Sequence, residues 1–234
     1  MSRDYIAFDI ETAKVIDGPV GDLKSHRPLG ITCAATLSTN QAEPRTWHGK
    51  TEDGTPSPRM STEDLGELVR FLVDASSNGA IILTWNGLGF DFDILAEESG
   101  MLDECKQLAR DHVDMMFHVF CQLGYPIGLA KAAEGMGLPG KSSSETQKLA
   151  PNIWADGRHD EILEYVGQDV RATLSIGKAC EERGEICWIT RKGYPTCKPL
   201  PDGWLTVTQA LALPEPDTSW MDDPIQRTRF TDWL

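Results

Sequence analysis

Tyr5-Ile6-Ala7-Phe8-Asp9-Ile10-Glu11 is the first apolar run of the chain. Ile6, Phe8 and Ile10 alternate with a second face that carries Asp9 and Glu11, the period of a β-strand. Two residues along a strand return to the same face, so the two carboxylates stand about 7 Å apart in Cα spacing. Such a pair suits a divalent cation, and it equally suits the solvent face of an edge strand. The flanking Phe8 and Ile10 favour the cation, because carboxylates on so apolar a strand are costly to bury unless paired or metal-bound.

Working outward, Leu29–Leu37 and Arg45–His48 continue as strands, and residues 49–58, rich in Gly, Pro and Ser, form a loop. Ser61 opens a helix, with Asp64 as a capping-box partner and Leu65, Leu68, Val69 and Leu72 as its apolar face. Ala80–Trp85 has the composition of a buried strand. Short helices are expected over Phe92–Gly100 and Met101–Arg110, while Val113–Gln122 fits either state. Asp160–Arg183 is the longest helical pattern: Ile162, Val166, Val170, Thr173 and Leu174 face a core, and Tyr165 and Asp169 share an adjacent stripe. Strands first, then strand and helix alternating, predict an α/β domain with a mixed central sheet flanked by helices. After Ile189 the texture changes to six prolines with Trp204, Trp220 and Trp233. We therefore divide the chain into a domain over 1–188 and an extension over 189–234 that packs on the core or on a partner and is a candidate for self-association.

Two further elements bear on chemistry. In Trp85-Asn86-Gly87-Leu88-Gly89-Phe90-Asp91 a buried strand enters a glycine-rich turn, with Asp91 at a helix start, where a capping role is the simpler reading. Tyr165 and Asp169 lie one helical turn apart. The order Asp-x-Glu, Asn-x-x-x-Phe-Asp, Tyr-x-x-x-Asp, on strand, turn and late helix, resembles the DEDDy branch of the RNase H-like 3'-5' exonucleases. Within that branch the sequence looks most like exonucleases related to the proofreading domain of family B DNA polymerases, over residues 4–183. The resemblance implies that Asp9, Glu11, Asp91 and Asp169 hold two ions, Mg2+ or Mn2+, that Tyr165 orients the attacking water, and that the substrate is a single-stranded 3' end of DNA or RNA. The histidine branch would place His where Glu164 stands. Asn86, Phe90 and Lys141 are the candidate substrate contacts. The Asn-x-x-x-Phe-Asp spacing selects Asp91 over Asp93, which reads as a helix-start residue. Asp114 resembles an acid near the site of related enzymes, and a solvent-exposed position suits it nearly as well.

One rival motif is present. Residues 135–142, Gly-Met-Gly-Leu-Pro-Gly-Lys-Ser, match the P-loop pattern. A P-loop follows a buried strand and opens a helix. Here Leu129–Glu134 reads as a helix, the polar run 142–147 lacks an apolar face, and Pro139 brings no N–H. The alternative to an enzyme is a non-catalytic nucleic-acid- or partner-binding module that keeps the fold.

The 234 residues carry 22 Lys and Arg against 36 Asp and Glu, a net charge of -14. That charge opposes coating of duplex, which rests on cations neutralising phosphates, so any nucleic-acid role has to be local. Residues 1–188 carry 17 basic and 30 acidic residues, and 189–234 carry 5 and 6. No apolar run reaches the roughly 20 residues of a membrane span, and Asp4 and Asp9 interrupt any leader-like start. A soluble, cytoplasmic protein is expected. The six cysteines form no Cys-x-x-C pair and are expected as free thiols, with a site using His118 and Cys121 as the alternative.

Overall fold

The computed structural model describes residues 3–16, 23–139 and 144–234. A five-stranded sheet, in the order β3-β2-β1-β4-β5, forms its centre. It is built from β1 (Tyr5–Thr12), β2 (Ile31–Ser38), β3 (Arg45–His48), β4 (Ile81–Thr84) and β5 (Val113–Asp114). β1 pairs antiparallel with β2 and β2 with β3, whereas β1–β4 and β4–β5 are parallel. The sheet is mixed, as the element order predicts.

Helices cover both faces. On one lie α1 (Thr62–Ser77), α2 (Asp91–Ser99), α3 (Leu102–Asp111) and α4 (Met115–Leu123); on the other lie α5 (Leu129–Met136), α6 (Ser144–Ala155) and α7 (His159–Arg183). The alternation of β1 sorts the layers. Ile6, Phe8 and Ile10 join the cluster of α1, α2 and α4. Tyr5 and Ala7 join that of α5 and α7. Asp9 and Glu11 continue the Tyr5–Ala7 face, so they point toward α7.

The expected capping box of α1 is complete: Ser61 Oγ accepts from the Asp64 N–H and Asp64 Oδ2 accepts from the Ser61 N–H. The ambiguous segment after Val113 resolves as two residues of strand followed by helix. Gly135 lies inside α5, where a Cβ would overlap the Trp188 backbone. It serves close helix–strand packing, and no strand precedes it, which removes the P-loop context on the described side. Residues 140–143, including Lys141, lie outside the described residues.

Beyond α7 the chain forms an antiparallel hairpin, β6 (Glu185–Ile189) and β7 (Pro195–Pro199), then α8 (Val207–Leu211) and α9 (Thr228–Thr231). Register sets Cys187 opposite Cys197, and the two form a disulfide. This corrects the expectation of six free thiols; Cys33, Cys105, Cys121 and Cys180 are free and buried. His118 is engaged by Gln122 Nε2 and by the Leu205 N–H. Trp204 is buried and donates to the Gly177 carbonyl of α7 at 3.0 Å, and Trp233 donates to the Leu88 carbonyl at 2.8 Å. Arg227 donates to the carbonyls of Leu211, Leu213, Pro214 and Cys121. Phe230 inserts against Phe117 and Phe120, with centroids 5.6 and 4.8 Å away. No described helix is long and apolar enough to cross a membrane.

Candidate active site

The acids meet where β1 outruns its parallel neighbour. Pairing with β4 stops at Ala7–Leu83, and on the stretch beyond it the Ile10 N–H donates to Asp91 Oδ1 at 3.1 Å. Asp91 is the first residue of α2, one position inside the N-cap Phe90. Its carboxylate turns to the strand backbone rather than capping its own helix, and the helix N-terminus favours the negative charge. Across β1, α7 delivers Asp169, 2% exposed. Carboxylate oxygens of Asp9, Glu11 and Asp169 all lie within 4.8 Å of one another. All four acids border one cleft of about 590 Å3.

Three acids lie at that separation, two of them buried. The field reaches their neighbours. Burial pushes the Tyr165 hydroxyl well above the usual phenol range, and Asp169, Glu11 and Asp9 push it further. Burial likewise raises the Cys33 thiol, which pairs with Glu11 in the β1–β2 register and feels Glu11 and Asp9. An oxygen-only acidic set of this kind matches a hard divalent cation.

Tyr165 is 2% exposed and lies one turn before Asp169. Asp169 borders the cleft. Asn86 and Phe90 are on the wall. The loop carrying them is held from below: Asp114, buried at the N-terminus of α4, accepts from the N–H groups of Asn86 (3.0 Å), Leu88 (2.9 Å) and Phe117 (3.0 Å). Burial raises the Asp114 carboxyl to about 6 against the pull of these donors. Asn86 adopts a left-handed φ of 75°, which Asn tolerates better than most residues. Gly87 is required beneath it, since a Cβ there would lie 2.5 Å from Thr84 Oγ1. Asp93 is ion-paired with Lys24 and Arg27, each at 2.5 Å, away from the cluster.

Sequence reasoning missed one side of the cleft. Ile225, Arg229 and Phe230 of the C-terminal segment border it, as do residues 126–130 between α4 and α5. The only signal was the aromatic content of a proline-rich tail, which indicated docking without saying where.

A family B DNA polymerase from the hyperthermophilic archaeon Pyrobaculum calidifontis superposes with a TM-score of 0.53 at 18% identity, over 77% of this chain and 25% of the polymerase. The two share an RNase H-like fold, a mixed sheet flanked by helices. Similar to this chain also are E. coli Exonuclease I in complex with a 5cy-dT13 oligonucleotide (TM-score 0.41, 14% identity, 78% of this chain and 41% of that one) and Exonuclease I from Methylocaldum szegediense (0.42, 18%, 78% and 41%). The chain thus spans a quarter of the polymerase and about two-fifths of each exonuclease. No family model matches the sequence, and no curated protein does. The RNase H-like sheet accounts for the mixed strand order, and the segment after β7 completes the cleft.

Proposed function

We propose that the protein is a metal-dependent 3'-5' exonuclease that removes nucleotides from single-stranded ends. The observation that carries this reading is the convergence of Asp9, Glu11 and Asp169 within 4.8 Å, with Asp91 on the same cleft. Oxygen-only donor sets suit hard divalent cations, and four carboxylates fit two Mg2+ or Mn2+ ions. When bound, such a pair supplies activation of water and stabilisation of the leaving 3'-oxygen in an in-line displacement at phosphorus.

The chain's own residues do the rest. Asp9, Glu11, Asp91 and Asp169 would hold the cations, and the bond from the Ile10 N–H fixes one Asp91 oxygen. Asn86 and Phe90 flank the terminal nucleotide from the loop that Asp114 anchors. Burial and the neighbouring acids keep the Tyr165 hydroxyl protonated, so one helical turn before Asp169 it would orient the attacking water and take no proton. The cleft volume suits a few nucleotides, and the net charge of -14 disfavours a grip on long duplex.

The test is incubation of 5'-labelled single-stranded DNA and RNA with Mg2+, Mn2+ or EDTA. A stepwise ladder with metal and none with EDTA is expected. Asp9→Asn and Asp91→Asn should lower kcat on the order of 10^3-fold, equivalent to about 4 kcal/mol of transition-state stabilisation, while Tyr165→Phe keeps a measurable fraction. Full activity in either Asp variant, or no cleavage of either polymer by the wild type, overturns the reading.

A further inference from the structure

A second cavity, larger than the carboxylate cleft at about 780 Å3, runs between the β6–β7 turn and the C-terminal segment. Pro126, Ile127, Gly128 and Ile225 border both, so the groove adjoins the cleft. Its walls carry Tyr125, Tyr194 and Trp220. Trp220 is 67% exposed and Tyr194 66%, although rings of that size bury readily in this chain elsewhere. Among the described residues, three of the six exposed large hydrophobics (Tyr194, Trp220 and Ile225) line this one groove. Tyr125 and Trp220 meet edge to face at 6.1 Å. The indole N–H of Trp220 donates to the Asp217 carbonyl, which holds the ring in place with its face unburied. Arg191 and Lys192 stand at the hairpin turn against a single carboxylate, Asp223.

We propose that this groove is a binding track for single-stranded nucleic acid, taking the nucleotides on the 5' side of those in the cleft. The inference rests on the exonuclease reading for its direction. Exposed aromatic faces bind bases of any sequence by stacking, and neighbouring cations follow the phosphates. Charge argues for the same occupant. Residues 1–188 carry a net -13 and repel a polyanion, whereas the cations that line the two cavities, Arg191, Lys192 and Arg229, all come from the extension. The extension thereby gives an acidic domain a local means of holding its substrate.

The experiment measures fluorescence anisotropy of labelled dT12 and rU12 with the full chain in EDTA, which prevents cleavage, using whichever binds more tightly. Trp220→Ala with Tyr194→Ala should weaken binding roughly 10-fold or more. Arg191→Ala with Lys192→Ala should reduce the slope of log affinity against log salt by about 1.4, the value for two phosphate contacts on a single strand. All four side chains are at the surface, and unchanged circular dichroism and melting verify the fold. A second readout is kcat/KM on the same oligonucleotide relative to that on thymidine 5'-monophosphate p-nitrophenyl ester, which is too short to enter the groove; the ratio should fall in both double variants. Wild-type affinity in both variants, or no binding by the wild type, overturns the track. A cleavage ladder with unchanged binding in both variants removes the track alone, whereas binding that depends on Trp220 and Tyr194 without any ladder removes the exonuclease reading and keeps the track.

Discussion

The acidic cluster acts through individual residues. Asp9, Glu11 and Asp169 keep their oxygens within 4.8 Å of one another, so a divalent cation bound there would draw on all three. Asp169→Asn should lose most of the rise in Tm that Mg2+ gives the wild type, since a ligand stabilises only the state that binds it. Paired melting curves in EDTA and Mg2+ check this, and an Asn variant that keeps the full Mg2+-induced rise would remove Asp169 from the cation site. Strand alternation made it legible that Asp9 and Glu11 share a face, whereas Asp169 entered through the resemblance carried by the order of the three motifs. What spacing could not show was burial: Asp169 is 2% exposed, where the Tyr-x-x-x-Asp spacing alone suits a surface position.

At the scale of elements, His112 ties α3 to β4 and to the site loop. Its Nδ1 lies 2.8 Å from the Ala109 carbonyl and its Nε2 3.0 Å from Thr84 Oγ1. Thr84 Oγ1 in turn accepts from the Gly87 N–H. A neutral ring that donates from Nδ1 and accepts at Nε2 satisfies the whole chain. Burial holds its pKa at about 4, against backbone contacts that raise it. Below an unfolded value near 6.5 the unfolded chain binds the proton first, so this contribution to stability is complete above about pH 6.5 and is lost as pH falls toward 4. His112→Gln should therefore lie closer to wild type at pH 5 than at pH 7 by about 2 kcal/mol in urea unfolding. His118, also lowered to about 4 by burial, and Asp114, which acts in the opposite sense, are present in both proteins and cancel in the comparison. An unchanged gap would mean that His112 titrates in the fold as it does in the unfolded chain. The elements themselves were readable because period 2 and period 3.6 differ; the segment after Val113 was not, because two residues of strand are too few to show a period.

For the whole molecule, the extension is the deciding feature. Phe230 fills a site between Phe117 and Phe120 and carries Arg229 to the cleft. Phe230→Ala should destabilise the protein by about 3 kcal/mol or more, the usual cost of removing a buried ring, and should speed tryptic cleavage after Arg227 and Arg229. Mass spectrometry of a timed digest reads the second effect, and an unaltered digest would show that Arg227 and Trp233 hold the segment without the ring. The net charge of -14 gains its meaning at this scale too: the acidity concentrates in residues 1–188, and the extension adds cations where the two cavities open. The sequence by itself determined the central strand, the long helix and the acids they carry, because those depend on local periodicity and on residue chemistry. Only the tertiary structure decided that a segment distant along the chain borders the cleft, because the docking of Phe230 on Phe117 and Phe120 of α4 is a long-range contact that leaves no periodic trace in the residues that make it.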